Sequence, residues 1–335
     1  MSFMVGGVNP TATSLQRQTM KKIALAAALA ATAAAPAFAQ SVTLWGRLNT
    51  TVENQKVGSQ DRKTVVQNNS SRLGLRGTED LGGGLKAGFN LEHGLNSDSG
   101  TQSDTAFWNR QANVELSGDF GTIRLGTWFP DSYFSSVDRT SNHNHDTGTS
   151  SDALFSSFGF GARTNKVGYF SPTVGGFNFI GSVRAGEGSG PRAYDLSVNY
   201  EVNGLHVAGT YAQNDKFGAS AKRKAYGLEA DYGFGPFLVT GYYQREEVEG
   251  FKARDIGRVS AMYVLGQSEF HVNVGGSRQG GDAEFRTGGA KQYTLGYNYN
   301  LSKRTKVYGF YTKTDYNGVG VADFASLAAG IRHNF

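Results

Sequence analysis

The side chains best placed to do chemistry are arginines that recur in step with an alternating pattern. Arg47 lies opposite in parity to Leu44 and Leu48, Arg72 and Arg76 lie opposite to Leu73 and Leu75, and Arg124 alternates with Ile123 and Leu125. Alternate side chains of an extended chain point to opposite faces, so these guanidinium groups belong to a face that the apolar residues leave free. A guanidinium stays charged at any working pH, and the chemistry expected of such a face is electrostatic attraction of anions. Covalent chemistry has little support. His143, His145 and Asp146 could bind a metal, yet their Asn/His/Thr/Ser surroundings read as a solvated loop, and no metal is expected. Gly82-Gly83-Gly84-Leu85-Lys86 lacks the spacing and the following Ser/Thr of a phosphate loop and reads as a hairpin turn. No Gly-x-Ser-x-Gly elbow occurs, so an enzyme is not expected, nor a cofactor.

The chain that must position these arginines has 335 residues, with 46 Gly, 6 Pro and no Cys. That excludes a disulfide scaffold, a cysteine-ligated zinc site and an iron–sulfur protein. With 18% charged and 12% aromatic residues the chain is not a disordered polyelectrolyte. Mean hydropathy is −0.39 and the one long apolar run lies near the start, which excludes a helical membrane protein. A membrane barrel is not excluded, because half of its strand residues can be polar.

The early apolar run has the parts of a secretory signal peptide. Met20-Lys21-Lys22 is followed by an Ala/Leu stretch from Ile23 to Ala35 and then by Pro36-Ala37-Phe38-Ala39, so cleavage is expected after Ala39. Residues 1–19 carry no pattern and read as an extension upstream of the true start, with 20–39 as the leader and 40–335 as the mature domain. Removing Arg17, Lys21 and Lys22 leaves 30 basic against 28 acidic residues, so the pI of 9.2 gives no support for nucleic-acid binding.

From residue 41 onward the dominant period is two, the period of strands. Tyr194, Leu196, Val198 and Tyr200 alternate with Asp195, Ser197 and Asn199, and Tyr293, Leu295, Tyr297 and Tyr299 alternate with polar partners. Sixteen strands are expected, at 41–54, 64–79, 85–95, 107–117, 121–128, 163–171, 177–185, 193–200, 205–214, 224–232, 236–246, 257–264, 269–278, 290–300, 305–314 and 324–335. Most approach the roughly 9–11 residues that cross a bilayer at a tilt. Their connections alternate between tight Gly/Asn/Ser turns, such as Glu201–Gly204 and Gly233–Gly235, and long polar loops such as 129–162. Short turns at one end, long loops at the other and an even strand count describe an all-β transmembrane barrel of the bacterial outer membrane. Tyr200, Tyr232, Tyr299 and Phe335 near strand ends fit aromatic girdles, and a sugar-binding aromatic row on the polar face is not found.

Several stretches together resemble one family. Ser41–Arg47 (SVTLWGR), Ser71–Ala87 (SRLGLRGTEDLGGGLKA), Asn109–Ala112 (NRQA), Leu116–Gly126 (LSGDFGTIRLG), Tyr299–Thr305 (YNLSKRT) and Gly330–Phe335 (GIRHNF) are similar to the trimeric general porins of beta-proteobacteria. The resemblance implies a 16-stranded antiparallel barrel, short periplasmic turns, long external loops, a homotrimer, and a third loop folded inward at 129–162. It also implies an arginine cluster on the wall facing acids on that loop. By motif Arg47, Arg72, Arg110 and Arg163 match the cluster, with Asp131 and Asp138 as the loop acids. Alternation supports only the first two. Arg110 shares parity with Val114 and Leu116, and Arg163 with Val167 and Tyr169, so alternation alone turns both outward. Arg76 and Arg124 are further lumen-facing candidates.

The expected function is a water-filled outer-membrane channel for passive diffusion of small hydrophilic solutes, preferring small anions. The rival is a solute-specific channel of the same fold, for phosphate or an organic acid; a plugged, adhesive barrel is a third reading. Expected partners are two further copies of the chain, outer-membrane lipids and lipopolysaccharide, and the barrel-assembly machinery, with Phe335 as assembly signal and the first and last strands, near Trp45, as trimer interface.

Overall fold

The protein is described here from a computed structural model, in which the described residues are 41–141, 154, 163–188, 190–217, 221–278, 289–317 and 321–335. The expected extension at 1–19, the leader at 20–39, His143, His145, Asp146 and the stretch 155–161 lie outside them.

Seventeen strands form one antiparallel sheet. They are β1 (Ser41–Val57), β2 (Lys63–Asn68), β3 (Ser71–Gly82), β4 (Leu85–Leu95), β5 (Gln111–Gly118), β6 (Gly121–Thr127), β7 (Lys166–Phe170), β8 (Phe177–Arg184) and β9 (Ala193–Val202). The sheet continues with β10 (Leu205–Phe217), β11 (Ala221–Phe234), β12 (Phe237–Val248), β13 (Arg254–Leu265), β14 (Ser268–Ser277), β15 (Ala290–Asn300), β16 (Thr305–Tyr316) and β17 (Phe324–Asn334). Apart from β2 and β3, which both pair with β1, each strand pairs with the next, and β1 pairs with β17 from Arg47↔Asn334 to Val57↔Phe324, which closes the barrel.

The barrel has sixteen staves rather than seventeen, because β2 and β3 are two halves of the second one and both pair with β1. Between Thr50↔Asn68 and Arg47↔Arg72 the second stave carries one more residue than β1, which is a β-bulge. Ser70 takes a positive φ of 61° there, and Asn69 is held by its backbone N–H to the Asn49 carbonyl (2.8 Å) and by Nδ2 to Thr51 Oγ1 (2.8 Å). The extra residue reverses parity. Val66 faces outward above the bulge, whereas Arg72, also even-numbered, faces inward below it beside Arg47.

Burial is inverted relative to a water-soluble protein. On β1, Val52 is 54% exposed and its neighbour Glu53 is 0%. Leu48, Val198, Leu228, Val272 and Leu295 repeat the outward apolar pattern, while Asn49, Ser197, Glu229, Asn273 and Thr294 are buried inside. Such an outer surface is stable only against hydrocarbon.

The short-turn end of the barrel follows from local sequence. At the short-turn end the β9–β10 hairpin closes through Asn203 and Gly204, with φ of 50° and 81°. A two-residue turn of this hand needs positive φ at both positions, and Asn-Gly supplies it. Just above these turns runs an aromatic row. Tyr232–Phe234, Phe234–Phe237, Phe237–Tyr263, Tyr263–Phe270 and Phe270–Tyr297 ring centroids lie 5.0–6.2 Å apart across five strands. The chain terminus is stitched into the same end. Gly46 N–H donates to the Phe335 carbonyl (3.0 Å), Phe335 N–H donates to the Gly46 carbonyl (3.1 Å), and the Phe335 ring occupies the place of a Gly46 side chain. A Cβ at Gly46 would also stand 2.7 Å from the Arg72 backbone oxygen, which cannot retreat.

Trp45 departs from expectation. It shares parity with Arg47, and its ring covers Gly74 on the face that bears Arg72 and Arg76. It lies on the lumen side of the wall, not on an outer surface that a neighbouring barrel could touch.

Candidate pore constriction

Arg47 and Arg72 are direct cross-strand partners on β1 and β3, so their side chains leave the wall side by side. The next stave brings an acid beneath them. Glu92 on β4 pairs in register with Gly74 and Gln111, which puts it on the same face. Its Oε1 accepts from Arg110 Nε at 2.6 Å and lies 3.5 Å from Arg72 Nη1, and its Oε2 accepts from Gln111 Nε2 at 2.8 Å. Glu92 thereby bridges two arginines of the group.

Arg110 thus faces inward, against simple alternation. The reason is that β5 begins at Gln111, later than the expected 107, so the pleat does not govern Arg110. The same holds for Arg163, three residues before β7 begins. Both guanidinium groups lie over the ring of Phe129, with Cζ 4.8 Å away for Arg110 and 3.9 Å for Arg163. Trp128 N–H donates to the Arg163 carbonyl at 3.0 Å, which ties the start of the third loop to its end. Burial, and then the charge of Arg110, lower the Arg163 pKa from the usual guanidinium value. The cluster therefore spans four elements, with Phe129 as its apolar floor.

The third loop leaves the wall at Phe129 and is fastened to a different arc of the barrel. A one-turn helix at Asp131–Ser135 follows Pro130, whose fixed φ suits the position before a helix. Ser132 N–H donates to Asp195 Oδ1 at 3.0 Å and Ser132 Oγ donates to Asp195 Oδ2. Ser135 and Ser197 hydroxyls meet at 2.8 Å. Further along, Arg139 Nε donates to Asp231 Oδ2 at 2.7 Å, Ser260 Oγ donates to the Thr140 carbonyl, and Arg254 Nη2 donates to the Leu154 carbonyl. Leu154 packs with Ile256, Ala290 and Tyr316. Fastenings on β9, β11, β13 and β15 hold the loop along an arc of the barrel that does not include the arginine-bearing strands β1 and β3.

The two loop acids differ in setting. Asp131 is buried, and its Oδ2 accepts from Trp128 Nε1 at 2.9 Å. Burial raises its pKa from 3.8 to about 6, opposed by the Lys166 charge and reinforced by Asp195. Asp138 is half-buried, caps the helix end through its N–H to the Tyr133 carbonyl (3.1 Å) and accepts weakly from Tyr133 Oη (3.4 Å). Arg124 faces inward as alternation requires, pairs with Glu115 at 3.0 Å, and lies over the rings of Phe170 and Trp128. Arg76 is exposed, with Cζ 6.0 Å from the Trp45 ring. Glu92, Phe129 and Asp195 were not singled out from the sequence. The parity rule that finds Arg72 also finds Glu92, between Leu91 and His93, and Asp195, between Tyr194 and Leu196.

A closed barrel with a polar interior, an apolar exterior and an inward loop has the build of an aqueous pore. The sequence profile of Gram-negative porins matches residues 24–319. The chain belongs to the Gram-negative porin family. Among curated relatives this porin is 33% identical to outer membrane porin protein 32 of Delftia acidovorans, over 93% of this chain and 95% of that one. It is 30% identical to an outer membrane porin protein of Bordetella pertussis, over 94% of this chain and 100% of that one. Its fold superposes on the anion-selective porin from Comamonas acidovorans with a TM-score of 0.72 at 27% identity, covering 88% of this chain and 100% of that one. The porin is thus an outer-membrane β-barrel, and its relatives are channels.

Proposed function

We propose that this porin is a passive diffusion channel for small hydrophilic solutes whose constriction favours anions, with Arg47, Arg72, Arg110 and Arg163 supplying the field. The observation that carries the reading is the convergence of three guanidinium groups, Glu92 pairing with Arg72 and Arg110 and the Phe129 ring lying under Arg110 and Arg163. Low-dielectric walls focus such a field and enrich the counter-ion. The solved relative described as anion-selective supports it. Asp131 acts in the anchor and Asp138 at the loop's half-buried face. Flux that saturates with phosphate or a dicarboxylate would favour the solute-specific alternative. The deciding measurement is the zero-current potential of the native channel under a KCl gradient: a sign showing chloride preference is expected, and potassium preference would overturn the reading. The preference should fall as the Debye length shrinks from about 10 Å at 0.1 M to about 3 Å at 1 M salt.

Assembly as a homotrimer in a lipopolysaccharide-containing outer membrane belongs to the same proposal, supported by a solved barrel of the same fold described as a trimer form. So do removal of residues 20–39 on export and recognition of Phe335 by the barrel-assembly machinery. Deleting Phe335 removes both bonds to Gly46 and should sharply lower the outer-membrane level on immunoblots.

The Asp131 anchor should be pH-dependent. Its folded pKa of about 6 lies above the ordinary 3.8, so the docked loop binds the proton more tightly than an undocked one. The cost of holding the ionised carboxylate buried is fully present above about pH 6 and disappears below about pH 4. Lowering the pH from 7 to 5 should therefore increase hydrogen-exchange protection at Ser132–Ser141 once intrinsic rates are corrected. Asp131→Asn should reduce that change, and equal pH dependence in both proteins would refute the assignment.

A further inference from the structure

Among the described residues, one group of three histidine and carboxylate side chains on the lumen wall brings its donor atoms close enough together to hold a metal ion. His206 on β10 and Asp231 on β11 are cross-strand partners, and Glu229 lies two residues from Asp231 on the same face. His206 Nδ1 is 2.8 Å from Glu229 Oε2 and 3.7 Å from Asp231 Oδ2, and the three donor atoms all lie within 4.8 Å of one another. All three side chains are buried, and Glu229 is 0% exposed. Glu229 Oε1 has no hydrogen-bond partner among the described residues. A buried carboxylate oxygen left unpaired is costly, and a cation is what would satisfy it.

We propose that His206, Glu229 and Asp231 form a binding site for a divalent transition-metal ion of the zinc class, on the lumen wall at the foot of the third loop. One imidazole and two carboxylates are a donor set that suits zinc and its neighbours. Calcium, which takes 6–8 oxygen ligands, is poorly matched. Three protein ligands leave a fourth tetrahedral position for water or a passing solute, as in open zinc sites. The set has a resident cation already: Arg139 of the third loop donates to Asp231 Oδ2 at 2.7 Å, and its side chain is one-third exposed. A metal ion taking Asp231 displaces that guanidinium, so occupation of the site releases one fastening of the loop. Metal and Arg139 are competitors for one carboxylate.

The test is calorimetric titration of Zn2+ into the full-length chain refolded in detergent, together with anomalous diffraction from native crystals soaked in Zn2+. One ion per chain and an anomalous peak between His206, Glu229 and Asp231 are expected. His206→Gln should weaken binding by about a hundredfold, the upper end of what loss of even a supporting residue costs a metal site. Arg139→Gln should tighten it at least about fivefold, the lower bound of ordinary coupling between competing groups. If His206→Gln does not fold, the peak in native crystals and the Arg139→Gln titration decide. Absence of binding, a peak elsewhere, or an affinity indifferent to Arg139→Gln would overturn the proposal. None of these readouts depends on ion selectivity, so they stand apart from the anion-channel reading.

Discussion

Replacing Arg72 and Arg110 together by glutamine should shift the channel's zero-current potential toward potassium further than replacing Arg47 and Arg76 together. Both pairs remove two guanidinium charges from the same wall. Only the first also strips Glu92 of its ion-pair partners at 3.5 and 2.6 Å, which exposes a carboxylate where the pore is proposed to be narrowest. The filter then gains a negative centre as well as losing two positive ones. Focused fields of this kind alter local ion concentration by at least about tenfold, and a change of that order in the chloride-to-potassium permeability ratio is expected for the Arg72/Arg110 variant. Adding Glu92→Gln to it should recover part of the anion preference. Equal shifts for the two double variants would show that Glu92 is electrically silent, and no shift in either would place the filter elsewhere.

The second large effect is expected at the loop anchor. Asp195→Ala removes both acceptors of Ser132 and the carboxylate that faces the buried Lys166, whose Nζ has no hydrogen-bond partner among the described residues and lies 4.3 Å from the Trp128 ring centre. Removing one partner of a buried charged pair costs about 3–5 kcal/mol, and because Asp131 remains beside Lys166 the loss should lie toward the lower end. The variant should unfold at clearly lower denaturant than the native barrel in lipid vesicles, and single channels should show larger, noisier conductance as the helix at Asp131–Ser135 leaves the wall. Asp195→Asn keeps one acceptor for Ser132 and should lie between. A native-like midpoint together with quiet channels in Asp195→Ala would mean that the loop is held by its other fastenings alone.

The fold was legible because a barrel crossing lipid must write its two faces into the chain. Runs such as Tyr293–Tyr299 announce both their extent and their orientation, and Asn203-Gly204 announces the turn. The site was legible where its residues lie within strands: alternation alone places Arg47, Arg72 and Arg124 inward, as observed. It failed for Arg110 and Arg163, which stand before their strands begin, where nothing forces alternation and a packing partner decides. That partner, Phe129, looks apolar and unremarked in sequence. Asp131 fits the expected acidic loop by position, but burial against Trp128 depends on tertiary docking that no local pattern records. The His206, Glu229 and Asp231 grouping was invisible for a similar reason, since its closest pair is 23 residues apart in sequence and 2.8 Å apart in space.

The bulge at Asn69–Ser70 separates two jobs that one stave must perform. The half above it is tied to the hairpin that joins β1 to β2, and the half below it carries Arg72 and Arg76. In an unbroken stave the outward parity of Val66 would extend through the even-numbered residues below it and turn Arg72 and Arg76 out into the lipid. The one extra residue lets a single stave keep Val66 toward hydrocarbon in its upper half and both arginines toward the lumen in its lower half.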